Sequence, residues 1–290
     1  IKLLKLLKNK KILIIGGSGF IGSAVSSILK KNNFITILDQ KKPKIDNVKF
    51  IKANFFNSTK IDRLINKNQI IIIFAAVSNI NFANKNTVKT IEQNTLAITQ
   101  ILEKIRVCKK KKKIFFPSSI YLHGKNSDIY TISKLASELI IISLCKKYKI
   151  NYTIARLPTI YGTFNRAEDV ISIFVKKASK NKKIMIHGTG KQQRNFMHSE
   201  DVANAINHLL NKNYNNKVIS LLSDQTLNIL NLAKKIVKII KSKSKIKKLN
   251  KAKRYDDFNF SSNRDIKEGS KLIWKSKNTI EKNIKLMTKS

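Results

Sequence analysis

The stretch Lys11-Ile-Leu-Ile-Ile-Gly-Gly-Ser-Gly-Phe-Ile-Gly22 decides how the whole chain is read. Its apolar run, Ile12 to Ile15, reads as a buried parallel strand. Glycines follow at Gly16, Gly17, Gly19 and Gly22, and then a helical pattern through Ala24, Val25, Ile28 and Leu29. Gly16, Gly19 and Gly22 have a G-x-x-G-x-x-G spacing. The first permits a tight turn, the second lets the backbone approach a pyrophosphate, and the third lets the helix pack close to the strand. The amides of the helix's first turn then point at the phosphates, with the helix dipole adding to the attraction. Working outward, a second strand, Phe34-Ile-Thr-Ile-Leu38, ends in Asp39. A carboxylate there suits the paired hydroxyls of an adenine ribose. Strand, glycine turn, helix, strand and acid, in that order, predict a dinucleotide-binding unit.

Composition bounds the rest. At 290 residues the chain is long enough for roughly two domains or lobes. Its two cysteines, Cys108 and Cys145, form neither a disulfide framework nor a metal-ligand cluster. No metal is expected, and a reducing cytoplasm is. No apolar run reaches the ~20 residues of a membrane span. The charge is unusual: 59 basic against 17 acidic residues, net +42. A sum that large suggests nucleic acid or an anionic membrane. Its distribution argues otherwise, because nearly all of it is lysine spread through strands and loops alike, and specific phosphate recognition recruits arginine. The charge is therefore read as whole-chain bias, with no specific nucleic-acid partner and only salt-sensitive attraction to polyanions. The densest run, Lys109 to Lys113, is expected to be a solvated connection. Residues 1–9 alternate leucine and lysine with helical period and are expected to form a frayed or loosely docked overhang.

Taken in order, further strands are expected at Val48–Ala53, Ile70–Val77, Ile114–Ser119 and Ile150–Arg156. Helices are expected at Ile61–Asn66, Thr90–Val107 and Tyr130 to about Lys147. Tyr130 and Lys134, spaced i and i+4, share one face of the last of these. This alternation gives a doubly wound parallel sheet. Beyond Pro158 the rhythm changes. Helices are expected at Val170–Ala178, from about Glu200 to Leu210, at Ile229–Ile240 and at Ile280–Met287, with strands at Lys183–His187 and Val218–Leu222. Lys241 to Lys253 reads as a lysine-rich connection. The expected organisation is an overhang over 1–10, a dinucleotide-binding Rossmann domain over 11–157, and a smaller substrate-binding lobe over 158–290, partly interleaved with the first.

In these motifs the sequence resembles the extended short-chain dehydrogenase/reductase family, which includes nucleotide-sugar epimerases, dehydratases and ketoreductases. The likeness runs from about Lys11 to Leu286. Gly16 to Gly22, with Phe20 and Ile21, looks like the family's glycine motif. Asp39 matches its ribose-binding acid, and Asn54, followed by Phe55, stands where an adenine-contacting Asp is usual. Ala75, Ala76 and Ser78 look like the segment lining the cofactor, and Asn94 like the structural active-site Asn. Ser119 matches the catalytic Ser/Thr, and Tyr130 with Lys134 the Y-x-x-x-K pair. Arg156-Leu-Pro-Thr-Ile-Tyr-Gly162 and His187 to Asp201 resemble two segments of the substrate lobe. The resemblance implies Tyr121, Thr159, Arg194 and Arg254 as substrate contacts, together with Ser119. Ile120 and Tyr121 fall where sugar dehydratases carry an Asp-Glu pair, which argues against water elimination. Asn54, Thr159 and Asn195 depart from the usual pattern. Pairing of two copies through helices near 90–107 and 130–147 is a further implication.

The residue types indicate the chemistry. A free tyrosine, with pKa about 10, is a poor base at neutral pH. A lysine one turn on favours its phenolate. A serine holds the substrate oxygen nearby, and a nicotinamide takes the hydride. The expectation is an NAD-dependent nucleotide-sugar epimerase, probing C4 by transient oxidation, with NADP disfavoured by Asp39. A 4-ketoreductase or dehydrogenase on the same substrate class is the nearest alternative. A non-catalytic, basic RNA- or partner-binding protein on the same fold is the alternative of another kind.

Overall fold

The computed structural model describes residues 7–55, 60–108, 110–122, 128–162, 169–249 and 270–288. The first half carries β1 (Lys11–Ile15), α1 (Phe20–Leu29), β2 (Phe34–Asp39), β3 (Lys49–Lys52), α2 (Ile61–Lys67), β4 (Ile70–Ile73) and α3 (Ile80–Lys85). It continues with α4 (Thr87–Ile91), a π-helical turn (Glu92–Leu96), α5 (Ala97–Arg106), β5 (Lys113–Ser119), α6 (Ile129–Lys147) and β6 (Asn151–Leu157). The second half carries β7 (Thr159–Tyr161), α7 (Val170–Ser179), β8 (Ile184–His187), β9 (Gln193–His198), α8 (Ser199–Leu209) and β10 (Lys217–Ser223). It ends with β11 (Thr226–Asn228), α9 (Ile229–Ile240), β12 (Ile246–Leu249), β13 (Ser270–Trp274) and α10 (Ile280–Met287).

Among the described residues, eight strands form one sheet in the order β13-β10-β6-β5-β4-β1-β2-β3. β1 pairs in parallel with β2 and β4, β2 with β3, and β4 with β5. This is the Rossmann-type, doubly wound sheet that the alternating pattern predicts. The strand sequences explain it: Ile12 to Ile15 and Ile71 to Ile73 are fully buried, as expected of strands covered on both faces. Leu13, Ile15, Ile71 and Ile73 pack in one core with Ile65 of α2, Ile101 of α5 and Ile141 of α6.

The chain divides into two compact units. The first holds the residues up to Leu122, the helix and strand ending at Arg156, and Ala203–Ile219. The second holds Leu157–Val202 and the chain from Ser220. Its own core sets Phe174 and Val175 of α7 against Leu232 and Ile236 of α9, Ile284 of α10 and Phe196 of β9.

Four expectations need correction. The apolar run from Ile70 stays a strand only to Ile73, where Phe74 and Ala75 both turn their amides onto the Ile15 carbonyl (2.8 and 3.0 Å). The helix expected over Thr90–Val107 starts at Thr87 and is interrupted by a π-helical turn. The lysine-rich connection contains β12, which gains strand form by pairing in parallel with β8. The run ending at Lys113 is not wholly solvated, because Lys112 and Lys113 are buried. Lys112 Nζ donates to the carbonyls of Asn66 and Asn68 (2.8 and 2.7 Å), at the C-terminal end of α2. Lys113 Nζ donates to those of Leu210 and Asn211 (2.9 and 3.1 Å), just beyond α8. Each ammonium satisfies carbonyls that a helix end leaves open, where the dipole favours a cation. Of the N-terminal overhang, the described part is docked: Asn33 Nδ2 donates to Leu7 O (3.0 Å), and Asn9 N to Asn32 O (2.8 Å).

Lys113→Met is expected to lower the unfolding free energy by about 1–3 kcal/mol, since it strips a charged donor from buried carbonyls. Ala at the exposed Lys110 or Lys111 should change it by less than about 0.5 kcal/mol. Urea titration of the three variants separates the outcomes.

Candidate active site

The sheet order reverses between β1 and β4, so their carboxyl ends flank a topological switch point, where such sheets bind ligands. The glycine turn leaves β1 at this point. Gly16 has a left-handed φ of +81°, and a Cβ on it would lie 2.4 Å from Ala75 N. A Cβ on Gly22 would lie 2.3 Å from Gly16 O. Both glycines are therefore required by the fold itself. Gly19 differs. Its φ is −73°, and a Cβ there would meet only Gly16 O, at 3.4 Å. Nothing among the described residues demands a glycine at that exposed position, and its bareness leaves the approach to α1 open. No side chain caps α1, and its first turn has no acidic residue. Open amides, a positive dipole end and a bare glycine fit a pyrophosphate.

Asp39, the last residue of β2, accepts from Ser18 N (2.9 Å) and Lys41 N (3.1 Å). The acid thus fixes the glycine turn and remains half-buried beside it. Phe55 packs on the core, while Asn54 is exposed and lines a cleft of about 620 Å³ with Glu92 and Gln93. Ala75 and Ala76 are half-buried after β4, and Ser78 is exposed. Asn94 is 1% exposed and sits in the π-helical turn. Its Oδ1 accepts from Val77 N (2.7 Å), and its Nδ2 donates to Val77 O (3.0 Å) and Ser133 Oγ (2.9 Å). Both amide protons are used within the chain. Asn94 therefore clamps the segment after β4 to α6, a use for which a π-turn's extra residue suits it.

Ser119 ends β5, and its Oγ accepts from Tyr121 N (3.1 Å). Tyr130 and Lys134 lie on consecutive turns of α6, which opens with Asp128 capping Thr131 N. Lys134 Nζ donates to Pro117 O (3.1 Å) and stands 4.4 Å from the centre of the Phe116 ring. The helix bearing Tyr130 is thus fastened to the carboxyl end of the strand bearing Ser119. Burial pushes the Lys134 amine down to about 8, against an opposing pull from Glu138. It is still a cation at neutral pH, which is what favours a neighbouring phenolate.

Glu138 is a residue that motif reading missed. It is 1% exposed and held by Arg156 through a fork, with Nη2 2.7 Å from Oε2 and Nε 3.1 Å from Oε1. The i, i+4 spacing from Lys134 was a signal in plain view, although its partner lies on β6.

In the second unit Thr159 opens β7, and Arg194 on β9 donates to the Gln193 carbonyl (3.1 Å). Asn195 is buried, donating to Ser223 O (2.8 Å) and Thr226 Oγ1 (2.9 Å) and accepting from Ser223 N (2.9 Å). An Asp there has no proton to give Ser223 O, which explains the amide. Arg254 lies outside the described residues.

A sheet of this order with a glycine turn at its switch point is the architecture of a dinucleotide-binding protein. Residues 12–221 match the NAD dependent epimerase/dehydratase family, and the chain belongs to it. The chain is 30% identical over 273 residues to a dTDP-D-glucose 4,6-dehydratase of Dictyostelium discoideum, covering 79% of this chain and 62% of that protein's length. It is 30% identical over 233 residues to a putative UDP-glucose 4-epimerase of Methanocaldococcus jannaschii, covering 72% and 76%. In fold it is similar to a UDP-glucose 4-epimerase of Thermotoga maritima, with a TM-score of 0.82 and 20% identity over 96% of this chain and 97% of the other. A UDP-glucuronic acid 4-epimerase of Bacillus cereus, solved with UDP-glucuronic acid and NAD, gives a TM-score of 0.81 and 20% identity over 96% and 98%.

Gly22→Ala is expected to destabilise the protein in thermal unfolding, because its Cβ meets backbone. Gly19→Ala should unfold at the wild-type temperature.

Proposed function

We propose that the protein is an NAD-dependent nucleotide-sugar 4-epimerase. The observation that supports this reading is the hydrogen bond from Lys134 to Pro117, which ties the helix bearing Tyr130 to the strand bearing Ser119. The cofactor would lie with its pyrophosphate on the glycine turn and its adenine ribose at Asp39, which repels a 2′-phosphate. Bound nicotinamide supplies a reversible hydride acceptor. Tyr130, held as its phenolate by the charge of Lys134, takes the proton of the sugar hydroxyl and becomes the phenol, and Ser119 holds the sugar oxygen. With the hydride given back to the opposite face, return of the proton from the Tyr130 phenol to the sugar oxygen would complete inversion of the carbon. Retention of the ketone, or its one-way reduction, would make a dehydrogenase or ketoreductase. Arg194, Thr159, Tyr121 and Arg254 are the proposed substrate contacts.

The names of several relatives favour a dehydratase. Elimination needs a proton donor and a base beside the ketone. Ile120, at one of the two positions where dehydratases carry carboxylates, is fully buried hydrocarbon. This favours epimerisation. No helix among the described residues is long and apolar enough to cross a membrane. The two free cysteines suit the proposed reducing cytoplasm. Ile132 and Leu139, a heptad apart on α6, are 45% and 60% exposed. Self-association through that face would cover them, and light scattering of Leu139→Lys against wild type tests it.

The test of function is to incubate the protein with NAD and a panel of UDP- and dTDP-sugars and read product stereochemistry by NMR. Inversion at C4 is the expected product, and a 4-keto-6-deoxy sugar would make it a dehydratase. Tyr130→Phe should remove turnover while NAD binding, followed by calorimetry, persists. Gly19→Ala should weaken NAD binding. Because Lys134 loses its charge above about pH 8, turnover should fall off as pH rises through that value.

A further inference from the structure

Three charges follow one another inside the first unit. Lys134, one turn beyond Tyr130, keeps its ammonium on the Pro117 carbonyl and is 4% exposed. Glu138, one turn further along α6, is 1% exposed. Arg156 on β6 engages both oxygens of Glu138, its Nε lying 3.1 Å from Oε1 and 3.2 Å from Oε2. From β5, Lys134 faces neutral groups, the Pro117 carbonyl and the Phe116 ring. The charge acting on it is Glu138.

A carboxylate four residues along a helix is within a lysine's natural reach. In a water-poor interior that attraction is strong. The ammonium nevertheless sits on a neutral carbonyl, and a competing interaction explains this. A guanidinium matches both oxygens of a carboxylate in one plane and outcompetes a point-charge ammonium for them. Take the guanidinium away and a buried carboxylate is left needing a cation, which is costly unless one is found. Lys134 stands one turn away. Moving to Glu138 would carry its ammonium toward the later turn of the helix, the direction opposite to Tyr130.

We propose that Arg156 is a positioning residue for Lys134: by occupying both oxygens of Glu138, it keeps that carboxylate from drawing the ammonium off Pro117 and away from Tyr130. The proposal rests on the reading of Tyr130 and Lys134 as the catalytic pair. In this role Arg156 works through Glu138.

The test uses the full chain carrying Arg156→Met, Arg156→Lys, and each of these combined with Glu138→Gln. The first readout needs no substrate. Ionisation of the Tyr130 phenol is followed as the ultraviolet difference between each protein and its Tyr130→Phe counterpart. The second is kcat and KM with NAD and UDP-glucose, or whichever sugar of the panel is turned over. Arg156→Met should raise the phenol's midpoint by about one pH unit and lower kcat about tenfold with little change in KM. Adding Glu138→Gln should restore both, because the competing carboxylate is gone. If Arg156→Met does not fold, Arg156→Lys keeps a cation but loses the fork, and the same loss and rescue are expected of it. Wild-type ionisation and kcat in the single variants would overturn the proposal. So would a double variant no better than its single parent, which would make Arg156 a packing residue only. If Tyr130→Phe in the wild-type background retains turnover, the catalytic reading itself falls. If that variant is dead and the Arg156 series is normal, only the positioning role falls.

Discussion

A buried ammonium needs partners, and meeting that need orders much of the first unit. Lys134 carries its charge almost out of solvent, where an unpaired ion is strongly disfavoured. It can stay only with α6 close enough to β5 for the Pro117 carbonyl to accept from it. That requirement sets the distance between a strand ending in a serine and a helix beginning with a tyrosine. The same helix is tied on another side: Ser137 Oγ donates to Asn94 O (2.7 Å), and Asn94 Nδ2 donates to Ser133 Oγ. Asn94 in turn holds Val77, beside the turn that Gly16 abuts at Ala75. The glycine turn, the loop after β4, the π-helical turn, α6 and β5 are therefore linked through contacts that each leave few alternatives.

Polar groups here do two kinds of work. Asp39 and Asn94 satisfy backbone amides and so define loops that would otherwise have no partner. Lys134, Glu138 and Arg156 place charge where hydrophobic packing alone would have been as stable or more so.

Local signals in the chain were readable and distant ones were not. Gly16, Gly19 and Gly22, the isoleucine-rich strands and Asp39 announce themselves within a few residues of one another, because a tight turn and a two-sided strand are local demands. The Y-x-x-x-K spacing on α6 is also local. The π-helical turn is not, since Asn94 reaches Val77 and Ser133, 17 and 39 residues away. β12 has the lysines of a loop and becomes a strand only against β8. Glu138 looks like any helical surface acid until Arg156 arrives from β6. Of the second unit, the sequence shows Arg194 and Thr159 as residues without their surroundings, because β7, β9 and β11 are short and pair with one another.

Lys112 and Lys113 are neighbours on the chain, yet their amines close helices separated by more than a hundred residues of sequence. Most single exchanges among the exposed lysines of this chain should change its stability little. These two are exempt from that freedom. Reagents that acylate exposed amines should find them slow to react until the helices they close come loose, which makes the pair an internal gauge of whether the protein is folded.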